Sequence, residues 1–292
     1  MDRIRDEQHR RNRLVRGCWE LYAPHRRRVT DLILGLRAPD ASPIGEDRLT
    51  PRLCVLGAGN CNDLDLPQLL AGFHEVHLVD LDGEALAEGV SAQQLAAERR
   101  VCLHGGVDVT GVIDRLSACS ADRSSSVSGV DAVLAAVAAH DQLPLGGTYD
   151  VVASVCLLSQ LLEAVKLALG ETYSRYLPLV QAIRAQHLRQ AVGLCCPGGR
   201  LALVTDFVSS DTCPELATVD EAQLPALAEQ LVRSHNFFTG LNPFLLRGLF
   251  VSDPWLAARV EQLRLSPPWR WQFPTRVYAV CAVTARRSSR LV

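Results

Sequence analysis

The chain has 292 residues, of which 48% are hydrophobic and 21% charged, and its formal net charge is −2. These proportions exclude a chain that is disordered throughout and one with the excess of positive charge typical of nucleic-acid-binding proteins. No apolar run reaches the ~18–20 residues that a membrane-spanning helix needs, and the N-terminus lacks a signal-peptide core, so we expect a soluble, cytoplasmic protein without a membrane partner.

Residues 1–50 are predicted to form an N-terminal helical cap. Apolar residues recur there at helical spacing, at Leu14, Cys18, Leu21 and Tyr22, and again from Val29 to Leu36. The first 30 residues are rich in arginine, which indicates either a solvated basic face, the interpretation we favour, or an arm that contacts RNA. Pro, Gly and Asp in residues 37–50 predict a loop.

From residue 51 the pattern changes to short apolar runs that alternate with helical stretches. Strands are predicted at 53–56, 76–79, 101–103, 149–155 and 200–205, and helices at 63–72, 83–99, 130–140, 157–169 and 172–195. Such alternation is typical of a parallel sheet with helices on both faces. A surface loop is predicted at 124–129, within this region.

The end of the chain has a different pattern. Helices are predicted at 221–233 and 254–264, and two extended segments follow at 269–273 and 276–284, separated by Pro274 and Thr275. That spacing predicts a C-terminal hairpin that adds an antiparallel strand to a mostly parallel sheet. The sequence therefore predicts an α/β protein with two regions, a cap at 1–50 and a core at 51–292.

Cysteine and histidine spacing does not predict a metal site. The ten cysteines include no C-x-x-C pair, and His74 and His77 precede and enter a predicted strand, where positions three apart point to opposite faces. We expect reduced, buried thiols and no bound metal.

Glycines and acidic residues follow three successive predicted strands. Gly57 and Gly59 come directly after the first strand, Asp80 ends the second, 21 residues beyond Gly59, and Asp108 follows the third. In an open α/β sheet ligands bind outside the carboxyl ends of the strands, where glycines permit close approach and a carboxylate can accept hydrogen bonds from ribose hydroxyls. This series predicts a site for a nucleoside-containing cofactor.

The residues beyond the glycines favour one kind of nucleoside cofactor. A dinucleotide site prefers a third glycine where this chain has Asn62, and the acidic Asp63 and Asp65 follow. Carboxylates are unfavourable beside a pyrophosphate but are acceptable beside a cation. The sequence therefore favours a positively charged, phosphate-free ligand.

These motifs resemble those of the class I S-adenosylmethionine-dependent methyltransferases across residues 51–285. The similar segments are VLGAGNCND, VHLVDLD, GGVDVTG, YDVVASVCLLSQL, PGGRLALVTD and RVYAVCAV. The resemblance implies a Rossmann-like, seven-stranded sheet and S-adenosylmethionine as the cofactor. It implies that the cofactor is bound by Gly57, Ala58, Gly59, Asn60, Asp80, Leu81, Asp108, Val109 and Ser154.

The function that we hypothesise is methyl transfer to an oxygen or nitrogen of a small molecule. No catalytic residue is established by the sequence, and Tyr22 and His25 are the candidates for a proton acceptor. Residues that could line an acceptor pocket are Trp19, Tyr22, His25, Arg26, Gln160, Asp206, Asn236 and Asn242. A nicotinamide-dependent oxidoreductase and a non-catalytic protein that binds the cofactor are the alternatives, and the oligomeric state stays open.

Overall fold

The computed structural model of this chain describes residues 3–37, 51–121, 127–140 and 142–289. Its centre is an eight-stranded sheet in the order β3-β2-β1-β4-β5-β8-β6, with β7 pairing β8 alongside. The strands are β1 Arg52–Leu56, β2 Glu75–Asp80, β3 Val101–Gly105, β4 Tyr149–Val155, β5 Cys195–Ser209, β6 Val260–Leu265, β7 Trp269–Gln272 and β8 Val277–Arg287.

Strands β1 to β5 are parallel, and β8 is antiparallel to β5, β6 and β7. The chain runs outward from β1 through β2 to β3, and then returns to the other side of β1 for β4 and β5. The carboxyl end of β1 therefore lies at the point where the winding reverses, which is where open α/β sheets bind ligands.

Eleven α-helices are found among the described residues, together with a 3-10 turn at Pro214–Ala217. The helices are α1 Arg3–Val15, α2 Ala23–Gly35, α3 Leu66–Gly72, α4 Gly83–Ala92, α5 Ile113–Ala121, α6 Val127–Ala139, α7 Leu157–Leu169, α8 Tyr176–Leu194, α9 Leu224–Arg233, α10 Pro243–Ser252 and α11 Pro254–Ala257.

The sheet separates two apolar cores. In β1, Leu53 and Val55 pack with residues of α2, α3 and α4, whereas Cys54 and Leu56 pack with residues of α5 to α8. This alternation follows from the two-residue repeat of a strand, which sends successive side chains to opposite faces. Both faces of the central strands are buried, as expected for a parallel sheet covered by helices.

The α/β fold, the mostly parallel sheet and the C-terminal antiparallel hairpin are confirmed, but the sheet has one strand more than the seven predicted. The helix predicted at 254–264 is wrong beyond Ala257. Residues 260–265 form the edge strand β6 instead, because pairing with β8 satisfies their backbone groups. The apolar positions Val260, Leu263 and Leu265 pack against the core in this strand.

The N-terminal cap contains two helices, so the prediction of one continuous apolar stripe is wrong. The chain leaves the helix after Val15 and re-enters one at Ala23, with Pro24 in the first turn of α2. Leu14 and Leu21 are exposed, whereas Tyr22, Val29 and Ile33 are buried. Residues 38–50 of the first predicted loop and 124–126 of the second lie outside the described residues. The loop predicted at 124–129 is wrong for residues 127–129, which begin helix α6. The division at residue 50 stays a prediction.

None of the helices within the described ranges is long and apolar enough to cross a membrane. All ten cysteines are free.

Candidate functional site

A cleft opens at the carboxyl edge of the sheet, over the ends of β1, β2 and β3. It holds about 550 Å³ of open space, part of it continuous with solvent. Residues from α1, from these strand ends and from α5 and α7 line it: Gln8, Gly57, Val79, Asp80, Leu81, Val107, Asp108, Val109, Thr110, Ile113, Leu116, Leu157, Gln160, Leu161 and Ala164.

Gly57 forms the floor of this cleft where β1 ends. Its φ is +81°, and a Cβ there would lie 2.6 Å from the Cβ of Leu157, the first residue of α7. Its N–H donates to the carbonyl oxygen of Val79 at 2.9 Å, which joins the loop to β2. Only glycine therefore lets the loop turn here and keeps this part of the cleft open.

Asp80 joins the glycine loop to the end of β2. Its Oδ2 accepts a hydrogen bond from the N–H of Gly59, and its Oδ1 accepts one from the N–H of Asp82, both at 2.9 Å. Burial raises the pKa of Asp80, whereas the two backbone donors act in the opposite direction. Each oxygen keeps acceptor capacity, so the carboxylate can still receive a hydrogen bond from a ligand hydroxyl in the cleft.

Asp108 also lines the cleft, but its carboxylate already has a structural role. Oδ1 accepts from the N–H and the hydroxyl of Thr110, at 2.8 and 2.7 Å, and Oδ2 accepts from the N–H of Ile113 at 2.8 Å. Asp108 thus holds the loop that leads into α5. Around it the lining is apolar, with Leu81, Val107, Val109, Ile113 and Leu116.

Helix α1 closes one side of the site through residues that the sequence did not predict. Gln8 lines the cleft, and Asn12 donates to Oδ2 of Asp82 at 3.0 Å. The carbonyl oxygen of Asn12 accepts from the side-chain amide of Asn60 at 2.5 Å. No pattern in the sequence marks Asn12, because its partners Asn60 and Asp82 are some 50 and 70 residues away in the chain.

The remaining predicted cofactor residues do not line the cleft. Gly59 and Asn60 adjoin it through their bonds to Asp80 and Asn12. Ala58 is buried in the core. Ser154 is also fully buried, and its Oγ is 2.8 Å from Nε2 of His187 on α8.

A second set of polar side chains comes from the start of α2, the loop after β1, the first turn of α7 and strand β5. We call Tyr22, His25, Asp63, Ser159 and Asp206 the polar cluster. The hydroxyl of Ser159 donates to Oδ1 of Asp206 at 2.5 Å, and Nε2 of His25 is 3.5 Å from Oδ1 of Asp63. Gln160, the neighbour of Ser159, lines the cleft.

Burial shifts the pKa values of this cluster in the direction of the neutral forms. It raises the pKa of Asp63 to about 7, with Arg26 acting against the rise, and the pKa of Asp206 to about 6. It lowers the pKa of His25 to about 3 and raises the pKa of Tyr22. His25 is therefore neutral at pH 7 and does not balance the charge of Asp63.

The other predicted acceptor residues are engaged in structural contacts. The guanidinium of Arg26 lies 3.4 Å from the ring centroid of Trp19 and donates to the carbonyl oxygens of Trp19 and Asn62. Asn236 donates to the carbonyl oxygen of Thr212, and Asn242 caps α10. Sequence reasoning did not assign Asp63 and Ser159 to an acceptor site. No group of three or more potential metal ligands occurs in the described part of the chain.

No protein-family model and no curated protein match this chain. Among solved structures, an O-methyltransferase family protein from Burkholderia thailandensis is 15% identical with a TM-score of 0.43, over 94% of this chain and 58% of its own length. The YcgJ protein from Bacillus subtilis is 11% identical, with a TM-score of 0.43, over 90% of this chain and 99% of its own.

Human N-acetylserotonin methyltransferase, solved in complex with S-adenosylmethionine, is 12% identical with a TM-score of 0.43, over 97% of this chain and 56% of its own length. The chain thus spans little more than half of two of these three proteins. The sheet is parallel from β3 to β5 and is flanked by the antiparallel β8. This arrangement of strand directions agrees with the one that the sequence motifs imply. The class I S-adenosylmethionine-dependent methyltransferase family, which the sequence motifs resemble, stays a prediction.

Proposed function

We propose that this protein is an S-adenosylmethionine-dependent methyltransferase that acts on an oxygen or nitrogen of a small molecule. The observation that carries the proposal is the cleft at the winding reversal, where Gly57, Asp80 and Asp108 meet. We further propose a cytoplasmic location, because ten free thiols suit a reducing compartment.

The residues of the cleft fit this cofactor. The apolar wall of Leu81, Val109 and Ile113 suits an adenine ring, and Asp80 can accept hydrogen bonds from ribose hydroxyls. Gly57 lines the cleft without a side chain, so the rest of the ligand can approach the backbone of the loop closely. When bound, the cofactor supplies an activated methyl group, so the chain has to align an acceptor, exclude water and accept a proton.

The same loop disfavours a dinucleotide. Asn62 stands where a third glycine would allow close approach, and it is buried with its amide donating to the carbonyl oxygen of Val15 at 2.7 Å. Asp63 and Asp65 add negative charge at the start of the segment that leads into α3. These groups suit a cationic ligand better than a pyrophosphate.

Calorimetry with S-adenosylmethionine, S-adenosylhomocysteine and NAD tests the cofactor. We expect binding of the first two and none of NAD. Binding of NAD alone would identify an oxidoreductase instead. Incubation with labelled S-adenosylmethionine and a metabolite extract then tests turnover, and a bound cofactor with no labelled product would indicate a non-catalytic binding protein.

Asp80→Ala is expected to weaken the binding of S-adenosylhomocysteine by about 1–3 kcal/mol, the usual loss when hydrogen bonds to a charged group are removed. The change also frees the N–H groups of Gly59 and Asp82, which the carboxylate holds. Calorimetry of both proteins measures the effect. Glu84→Ala, at an exposed position outside the cleft, is the control. Equal affinities for Asp80→Ala and the unchanged protein would remove Asp80 from the site.

A further inference from the structure

The polar cluster contains two largely buried carboxylates that form no ion pair with a Lys or Arg of the described residues, although Arg11 acts on Asp206 and Arg26 on Asp63 from a distance. Asp206 is 5% exposed, and no Lys or Arg nitrogen in the described ranges lies within 4 Å of its carboxylate. The side chain of Asp63 is 17% exposed, and its one ion-pair neighbour is the neutral His25. Arg26 acts on Asp63 only from a distance, because its guanidinium bonds to Trp19 and Asn62. Burying unpaired carboxylates is costly.

Two further polar atoms of the cluster are buried without a hydrogen-bond partner in the described part of the chain. They are the hydroxyl of Tyr22, a residue that is 2% exposed, and Nε2 of His25, which is 1% exposed. Nε2 of His25 faces Asp63 at 3.5 Å, and the charge of Asp63 also acts on the phenol of Tyr22. Nδ1 of His25 accepts from the indole N–H of Trp269 at 3.0 Å, so Nε2 carries the proton and directs it at Asp63. Buried polar groups in folded proteins nearly always have partners, so the hydroxyl of Tyr22 indicates that a partner of another molecule completes the cluster.

Aromatic rings surround the phenol of Tyr22. Its ring centroid lies 5.4 Å from that of Trp271 and 6.0 Å from that of Phe273. Tyr278 lies 5.4 Å from Trp271 and 5.7 Å from Phe273. Aromatic faces beside carboxylates attract organic cations, because the ring quadrupole adds to the charge of the carboxylate.

The cluster adjoins the cofactor cleft through two segments. Gln160 lines the cleft, and the preceding residue, Ser159, donates to Asp206. Gly57 forms the floor of the cleft, and Asp63 lies six residues further along the same loop. An acceptor bound at the cluster would therefore lie beside the cleft.

From these contacts we propose that the methyl acceptor is an amine, held as its ammonium form between Asp63 and Asp206, with the hydroxyl of Tyr22 as a further hydrogen-bond acceptor. This inference rests on the function proposed above. It specifies that the atom that accepts the methyl group is a nitrogen, not an oxygen. An alcohol would leave both carboxylates without a cation. The amine supplies the missing positive charge and N–H donors for the acceptor atoms of the cluster.

The proposed transfer balances in protons and electrons. The ammonium first gives a proton to one of the two carboxylates, and the neutral nitrogen keeps a lone pair. That lone pair forms the bond to the methyl carbon as the bond from this carbon to sulfur breaks, and the sulfur keeps the electron pair. The nitrogen then carries one positive charge, which the second carboxylate faces.

Calorimetry with matched amines and alcohols tests the inference without turnover. The probes are the butyl, cyclohexyl, benzyl and 2-phenylethyl amines and their four alcohols, titrated with and without saturating S-adenosylhomocysteine. We expect at least one amine to bind tenfold or more tightly than its alcohol. If no amine exceeds its alcohol under either condition, the inference is overturned.

Asp63→Asn and Asp206→Asn are the variants that identify the binding groups. Each variant is expected to bind the preferred amine at least tenfold more weakly, while its affinity for S-adenosylhomocysteine changes less than twofold. Glu229→Gln, on the exposed side of α9, is the control and should bind the amine normally. Unchanged amine binding in both aspartate variants would overturn the proposed site, and a thermal melt of each variant verifies that it folds.

The two proposals fail in different ways. If S-adenosylhomocysteine binds but no amine is preferred, only the choice of acceptor falls. If S-adenosylhomocysteine does not bind, the methyltransferase proposal falls, whatever the amine titrations show.

Discussion

Gly89→Ala is expected to destabilise the protein by about 1–3 kcal/mol, the usual range for overpacking a core. Gly89 is a buried residue of α4, where alanine would ordinarily improve helix formation by roughly 1 kcal/mol. Here, however, a Cβ would lie 2.3 Å from the carbonyl oxygen of Asn60 and 3.1 Å from the nitrogen of Cys61. Both are backbone atoms of the loop that follows β1, so the loop itself has to move. Urea unfolding measures the change.

Gly248→Ala is the matched control. Gly248 also lies within a helix, α10, but nothing lies within 4 Å of a Cβ built on it. We expect this variant to gain about 0.4–1 kcal/mol, because alanine restricts the unfolded chain and favours the helix. If Gly89→Ala were as stable as Gly248→Ala, the close packing of α4 against the loop would be refuted.

Asp206→Asn is expected to stabilise the protein by about 1–3 kcal/mol at pH 8, because it removes a buried charge and keeps the size of the side chain. Burial raises the pKa of Asp206 to about 6 in the folded protein, above the ordinary value of 3.8 for an aspartate. As the pH rises, the carboxyl therefore loses its proton at a lower pH in the unfolded chain than in the folded protein. Its destabilising effect grows from pH 3.8 and is complete above about pH 6, so the gain of the variant should decline as the pH falls through this range.

The measurement is urea unfolding of both proteins between pH 4 and pH 8. The other groups whose charges act with Asp206, namely Arg11, Asp63, Cys156, Tyr278 and Cys281, are the same in both, so the difference measures this carboxyl together with its interactions with them. Glu229→Gln should show a small change of less than about 0.5 kcal/mol at every pH. A destabilised Asp206→Asn protein would contradict the view that this carboxylate is retained for binding at the expense of stability.

The sequence was sufficient for the parts of the site that depend on strand ends. Gly57, Asp80 and Asp108 each follow a buried apolar run, and parallel strands bring their carboxyl ends to one edge. Asp82 likewise stands directly ahead of a helical segment, and its side chain caps α4 by accepting from the N–H of Ala85. These features are local, and local patterns are what a single sequence contains.

Features that depend on tertiary contacts were not predicted. Ser154 was expected near the cofactor, yet it shares the face of β4 that Val152 occupies and contacts His187 of α8. The two-residue alternation of the strand contained that signal. The edge strand β6 and the contacts of Asp63 gave no comparable signal, because each depends on a partner distant in the chain.

Helix α1 forms part of the cleft wall, and ion pairs at the protein surface contribute to its attachment. Ile4 is its one fully buried side chain. Arg5 pairs with Asp114 at 2.8 Å, and Arg16, the residue after the helix, pairs with Glu88 at 2.5 Å. Both ion pairs lie at the surface. Exposed pairs of this kind contribute between about 0 and 1 kcal/mol each and weaken in salt. We therefore expect added salt to weaken these ion pairs, while the hydrogen bonds that join α1 to Asp82 and Asn60 persist.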